Sequence, residues 1–254
     1  MVDAAIDELI SLKPYLSDPL RFYERAVRFY DGIHGADLPV YNGTTIYPQG
    51  RIPAIIERFT DVINLPQGSL LPLQQALELG ELDITRLPRC EVPAFTLPYA
   101  EDDLIMLLYL IGRPYFRGLR ERNRCDDQLW TKGTCPVCES RPVISSLGPD
   151  GRRTVYCSFC GTTGYIPRES CPACLSTDSD RLEIMTYQGE DGYSLQVCET
   201  CRSYGKIVEE ERLASLTPDL ADLISLPLDI LVQQQGYSRR APNPIGMLRM
   251  SANG

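Results

Sequence analysis

The chain has 254 residues, 43% of them hydrophobic and 23% charged, and its 25 basic and 34 acidic side chains leave a formal net charge of −9. That length holds one large domain or two small ones around an ordinary apolar core. The acidity argues against sequence-independent nucleic-acid binding, which rests on neutralising phosphates with Lys and Arg.

The start, Met1–Glu8, is acidic rather than basic, unlike a leader peptide. Asp3–Leu12 reads as a short amphipathic helix stopped by Pro14. Asp18-Pro19 is a helix start, with a side-chain acceptor at the cap and proline just inside. Leu20, Tyr23, Val27 and Tyr30 then form an apolar stripe that Gly32 ends. Asp37–Gly50 lacks periodicity and reads as a loop. A third helix begins at Pro53, with Ile52, Ile55, Ile56, Phe59 and Ile63 on one face. Leu65–Tyr99 contains five prolines plus Gly68 and Gly80, so it is expected to be mostly irregular, with a turn or two of helix near Gln74–Leu79. Glu101, Asp102 and Asp103 suit a helix N-terminus, and Leu104–Tyr109, apolar almost all round, marks a central helix. Pro114 should kink or restart it, and Arg117–Arg124 reads as a solvated basic end.

The longest apolar run, Leu104–Ile111, is too short to span a bilayer. The expectation is a soluble, cytoplasmic protein with no membrane insertion. In a reducing compartment, cysteines at this spacing read as metal ligands or redox centres rather than disulfides.

The composition changes near Cys125–Gly133. Beyond it lie four Cys-x-x-Cys hooks: Cys135/Cys138, Cys157/Cys160, Cys171/Cys174 and Cys198/Cys201. Each hook offers two thiolates to one metal, and two hooks complete a tetrahedron. Sequential pairing gives one ion held by Cys135, Cys138, Cys157 and Cys160, and a second by Cys171, Cys174, Cys198 and Cys201. Val143–Leu147 and Arg153–Tyr156 flank Gly148-Pro149-Asp150-Gly151, a hairpin between two hooks. Leu182–Gln188 and Tyr193–Val197 flank Gly189-Glu190-Asp191-Gly192 in the same way. The two halves of this region are therefore copies of one plan, hook, hairpin, hook, and read as two independent four-cysteine units. Thr217-Pro218 repeats the cap-plus-proline start. Two helices, Asp219–Leu226 and Leu228–Gln235, are expected to break at Pro227 and close at Gly236, followed by a polar tail from Ser238.

Eight thiols at this spacing have no packing rationale, so unligated burial is the weaker reading. All-sulfur tetrahedra accept zinc and iron, and sulfur chemistry alone favours zinc. His34, the only histidine, sits between Gly32 and Gly35 and reads as a surface residue at a helix end. No Ser-His-Asp or Cys-His arrangement, glycine-rich dinucleotide motif or P-loop occurs, so a catalytic role is not expected. Glu209-Glu210-Glu211 reads as a solvated face, and Arg152-Arg153 and Arg239-Arg240 are too small for a nucleic-acid footprint. Cys90 and Cys125 read as free thiols, and Trp130 as a packing anchor between the halves or a partner contact.

At Cys135-Pro136-Val137-Cys138, Tyr156–Thr162 and Cys198–Val208 the chain resembles the formate dehydrogenase accessory protein family, FdhE. The likeness continues through Asp219–Leu223, Leu228–Leu231, Gly236-Tyr237 and Asn243-Pro244; Leu71-Pro72-Leu73 is a weaker echo in the first half. The chain departs from the family pattern where Gly164-Tyr165 replace an aromatic-histidine pair, where Leu175 replaces glycine, and where Arg202-Ser203 replace His-Gly. The resemblance implies an α plus small β fold: a helical domain over 1–128, tandem rubredoxin-like or zinc-ribbon units over 129–168 and 169–210, and C-terminal helices and tail over 211–254. It implies that the eight hook cysteines are the ligands, that iron is the ion with zinc as the alternative, and that the hooks form a partner-binding face. The implied partner is the catalytic subunit of formate dehydrogenase, whose maturation such a protein assists, or a related molybdoenzyme. A homodimer is left open. The rival readings are a rubredoxin-type electron carrier and a zinc-ribbon interaction or nucleic-acid module.

Overall fold

The computed structural model of the protein describes residues 2–40, 46–89 and 97–250. Cys90 lies outside the described residues, as does 41–45 within the expected loop at Asp37–Gly50.

The first half is helical: α1 (Val2–Leu12), α2 (Ser17–Asp31), α3 (Ile52–Ile63), α4 (Leu71–Glu78) and α5 (Glu101–Asn123). The apolar stripe of α3 is buried as its periodicity requires. Three boundaries differ from the sequence reading. A 3-10 turn over Pro14–Leu16 runs straight into α2 at Ser17, so Asp18 sits in the first turn rather than at the cap. It still faces the positive end of the helix dipole there. Leu65–Tyr99 is more helical than its prolines suggest, because Pro72 falls in the first turn of α4, where its missing N–H costs nothing; a 3-10 stretch over Ile84–Arg89 follows. Helix α5 is assigned as one element of 23 residues straight through Pro114. Arg113, Tyr115 and Phe116 around the proline are buried, and the Tyr47 hydroxyl donates to the Ile111 carbonyl in the same turn at 2.8 Å. Tertiary burial outweighs the loss of one backbone bond.

The second half contains β1 (Gln128–Leu129), β2 (Ile144–Leu147), β3 (Arg153–Tyr156), β4 (Thr163–Ile166), β5 (Leu182–Met185), β6 (Tyr193–Cys198) and β7 (Ser203–Glu209). Both expected hairpins form, as β2–β3 and β5–β6. Each gains a third antiparallel strand, β4 beside β3 and β7 beside β6. The expected independence of the two units is not found. Strands β2 and β7 pair in parallel, with Ile144 opposite Lys206, so both units share one sheet in the order β1-β4-β3-β2-β7-β6-β5. The hydrophobic patterns of both hairpins were local and visible. The pairing between units joins residues about sixty apart in sequence and left no local trace.

Short helices α6 (Glu210–Leu213), α7 (Pro218–Ile224) and α8 (Leu226–Gln234) follow. The Thr217 hydroxyl caps α7 by accepting from the Leu220 N–H. The break falls at Ser225, two residues before expectation, because Pro227 is accommodated in the first turn of α8.

Two apolar cores cross the halves rather than dividing them. One packs α2–α5 against Trp130, Val155, Phe159 and the first four hook cysteines. The other packs α1 and the start of α2 against β6, β7, α7 and α8. Two charged clusters sit between them. Arg113, on α5, forms a bidentate pair with Asp219 of α7 at 2.6 and 2.7 Å and stacks near the rings of Tyr30 and Tyr109. Lys206 of β7, Asp222 of α7, Asp229 of α8 and Arg239 of the tail form a neutral quartet, no side chain of which is more than 3% exposed. Lys206 reaches Asp222 at 2.8 Å and Arg239 reaches Asp229 at 2.9 Å; the two diagonal pairs are closed as well. The Tyr204 hydroxyl donates to Asp229 at 2.5 Å. The segment from Ser238 is therefore not a solvated tail: Arg239, Ala241, Asn243 and Ile245 are buried. No helix among the described residues is long and apolar enough to cross a membrane.

Asp229→Asn leaves two buried cations facing one carboxylate, and an unbalanced buried charge costs about 3–5 kcal/mol. Urea unfolding should show a loss of that size; a change near zero would mean the quartet adds no stability.

Candidate metal centres

The hooks are tight turns of one design. In the first, the Cys135 N–H donates to the Ser140 carbonyl and the Glu139 N–H returns to the Cys135 carbonyl, at 2.8 and 2.9 Å. The second repeats this between Cys157, Thr162 and Gly161, and the third between Cys171, Ser176 and Leu175. The fourth closes where β6 meets β7, with Cys198 opposite Ser203. The residue after each hook turns left-handed: Glu139, Gly161, Leu175 and Arg202 have φ of 66°, 76°, 58° and 51°. Only Gly161 adopts this without a Cβ penalty.

These turns bring the sulfurs into two groups of four, Cys135, Cys138, Cys157 and Cys160, then Cys171, Cys174, Cys198 and Cys201, each within 4.8 Å of one another. In the first group Cys135 lies 3.5 Å from Cys160, and Cys138 lies 3.3 Å from Cys157. In the second, Cys171–Cys201 and Cys174–Cys198 are both 3.8 Å apart. Metal–sulfur bonds of about 2.3 Å place tetrahedral sulfurs about 3.8 Å apart, so both groups fit a four-thiolate ion. Such a set is closed, with no position left for a reacting water.

The two groups differ in surroundings. The first is buried throughout and belongs to the main core. Phe159, inside the second hook, packs edge-on against Tyr109 and Phe116 of α5, and the Tyr109 hydroxyl donates to the Ser158 carbonyl at 2.8 Å. Among the described residues the second group belongs to a small apolar cluster with Ala173 and Leu182; Cys174 is exposed and Cys201 half-buried. Hydrogen bonds from Cys138, Cys157 and Cys160 hold Cys135 far below the thiol range, while burial pushes Cys138 and Cys157 well above it. Burial also raises Cys171. At Cys201 the upward push of burial is overcome by the Ser203 hydroxyl and the neighbouring thiols, which bring it to about 7. Cys160 is lowered along with Cys135, so the first group is split between thiols held down by their neighbours and thiols pushed up by burial. A cation would ionise all four, since ligands must deprotonate to bind.

Sequence reasoning missed the residues around the sulfurs. The Thr162 hydroxyl lies 3.0 Å from Cys160 Sγ and the Ser203 hydroxyl 2.9 Å from Cys201 Sγ. Both stand two positions after the last cysteine of their group, which was a readable signal. Gly164 is explained by Trp130, which is 2% exposed and packed, not a partner contact. A Cβ at Gly164 would overlap the Trp130 indole and the Gln128 carbonyl. His34 is exposed, belongs to neither group and stands before a 3-10 turn without a side-chain bond to it, and Cys125 makes a local contact with the Asn123 carbonyl.

Residues 155–246, which carry the second, third and fourth hooks and the buried quartet, match the family model described as FdhE, C-terminal domain. Over that range the chain is similar to the FdhE family. It is 29% identical over 151 residues to an FdhE homologue of Aquifex aeolicus, covering 58% of this chain and 53% of that one. It is 35% identical over 120 residues to an FdhE homologue of Rhizobium meliloti, covering 45% and 39%. The chain thus spans about half or less of the length of these curated relatives. The crystal structure of the FdhE protein from Pseudomonas aeruginosa shares the fold, with a TM-score of 0.62 over 98% of this chain and 95% of that chain at 19% identity.

Cys157→Ser should remove one metal equivalent and loosen the packing of α5, because Phe159 is fixed by that hook. Cys174→Ser should remove one equivalent with little loss of global stability. Elemental analysis with limited proteolysis checks both; full retention of metal in either variant removes that cysteine from the ligand set. Gly164→Ala should cost about 1–3 kcal/mol through overpacking against Trp130, read by thermal unfolding.

Proposed function

We propose that this chain is a non-enzymatic accessory protein that binds the catalytic subunit of formate dehydrogenase and assists its maturation, with each four-cysteine group holding one metal ion. The family match across residues 155–246 carries this reading, because it covers three of the four hooks together with the strands and helices that fix them. Cys135, Cys138, Cys157 and Cys160 would hold one ion and Cys171, Cys174, Cys198 and Cys201 the other, with iron preferred on family grounds and zinc the alternative. A bound ion supplies folding energy, and iron would also supply one-electron chemistry at fixed ligands.

The division of labour follows from burial. The first group shapes the core in which α5 sits. The second lies at the surface beside edge strand β5, where Ile184 is 55% exposed. That face is where a client can touch a metal unit. The exposed Cys174 favours the second reading, electron exchange with a partner, over a purely structural role for this group. Visible absorption bleached by a reductant supports that reading, and a colourless protein with two zinc ions removes it.

Deleting the gene should lower formate dehydrogenase activity while its catalytic subunit is still made, and the tagged chain should capture that subunit. Unchanged activity together with no capture would sink the accessory role.

A further inference from the structure

Among the described residues four basic side chains are buried: Arg113, Arg153, Lys206 and Arg239. Three of them face carboxylates, Arg113 in its pair with Asp219 and the other two in the quartet. Arg153 does not. It is 1% exposed and forms no ion pair with a carboxylate among the described residues. Its partners are all neutral: Nε donates to the Ser145 hydroxyl at 3.1 Å, and Nη1 to the Gln196 side-chain oxygen at 2.6 Å, the Ser170 carbonyl at 3.1 Å and the Arg168 carbonyl at 3.5 Å. Nη2 has no partner. A lone buried cation is strongly unfavourable unless an anion sits nearby. Burial accordingly pulls this guanidinium down to about 10, and the group whose negative form would oppose that pull is Cys171, a member of the second sulfur group.

The position of Arg153 supplies the explanation. It starts on β3 in the first unit and, besides Ser145 of β2, reaches Gln196 of β6 in the second unit and the carbonyl of Ser170, the residue before Cys171. Four thiolates around a dication leave a centre of about −2. We propose that Arg153 is the buried counter-charge of the second metal centre, donated to it by the first unit. The missing carboxylate is then no defect: the anion Arg153 requires is the metal centre itself. The neutral groups around the guanidinium hold it in place without quenching its charge. This rests on the second group binding a cation.

The test uses the full chain loaded with zinc(II) and challenged with excess EDTA, comparing wild type, Arg153→Met and Arg153→Lys. Loss of a group that supports the ligands without touching the metal weakens metal binding about 10–100-fold. In Arg153→Met one of two zinc equivalents should leave faster by a factor in that range, while the other keeps its wild-type rate. Arg153→Lys, which keeps the charge, should restore most of the slow release. The metal-free Arg153→Met protein should melt at or above the metal-free wild-type temperature, because an unbalanced charge has gone. A merely structural arginine would lower that melting temperature. The proposal is overturned by unchanged release of both equivalents, by a lysine variant as leaky as the methionine one, or by an Arg153→Met chain that melts lower or does not fold without metal. Fewer than two zinc equivalents in wild type would instead overturn the metal reading of the hooks.

Discussion

Four charges buried in one place must neutralise one another, and at Lys206, Asp222, Asp229 and Arg239 they do so only if four separate segments meet. Strand β7, helices α7 and α8 and the C-terminal segment each bring one member. Removing any one strands its partners in a medium that tolerates no unpaired ion. The quartet therefore acts as a logical conjunction. Asp222 shows its balance: burial would raise its carboxyl, yet Arg239 and Lys206 hold it at about 2. The carboxylate's contribution is thus complete above the ordinary value of 3.8 and is lost only as pH falls towards 2.

The placement of the cysteine groups follows from this constraint. Fixing β7 fixes Ser203 beside Cys201, and fixing α7 fixes Asp219 beside Arg113 of α5. Helix α5 in turn holds the second hook through Tyr109, Phe116 and Phe159. One group of sulfurs ends up inside the core and the other at its rim. Two sulfur groups built on the same turn therefore differ in access to solvent.

What the sequence showed was local. The cysteine spacing, the proline and glycine turns between strands, the stripe of α3 and the Thr217 cap all depend on residues within a few positions of one another. What it hid depends on distant partners. Pro114 looked like a helix boundary because its tolerance comes from burial around Arg113 and Phe116 and from Tyr47. The segment after Ser238 looked polar because Arg239 and Asn243 are buried only in the company of α7 and α8. Arg153 looked like half of a small basic pair, and Gly164 like a lost aromatic, until Trp130 was seen filling the space.

The parallel seam between β2 and β7 sets an order of events during synthesis. The first four cysteines leave the ribosome well before Lys206, so the sulfurs of that group are complete while the strand that flanks their hairpin does not yet exist. Helix α5 likewise waits for Asp219 with Arg113 already made. A nascent chain thus has an interval in which all four sulfurs of the inner group exist beside a half-built sheet, and β7 and the C-terminal segment complete that sheet and its packing last.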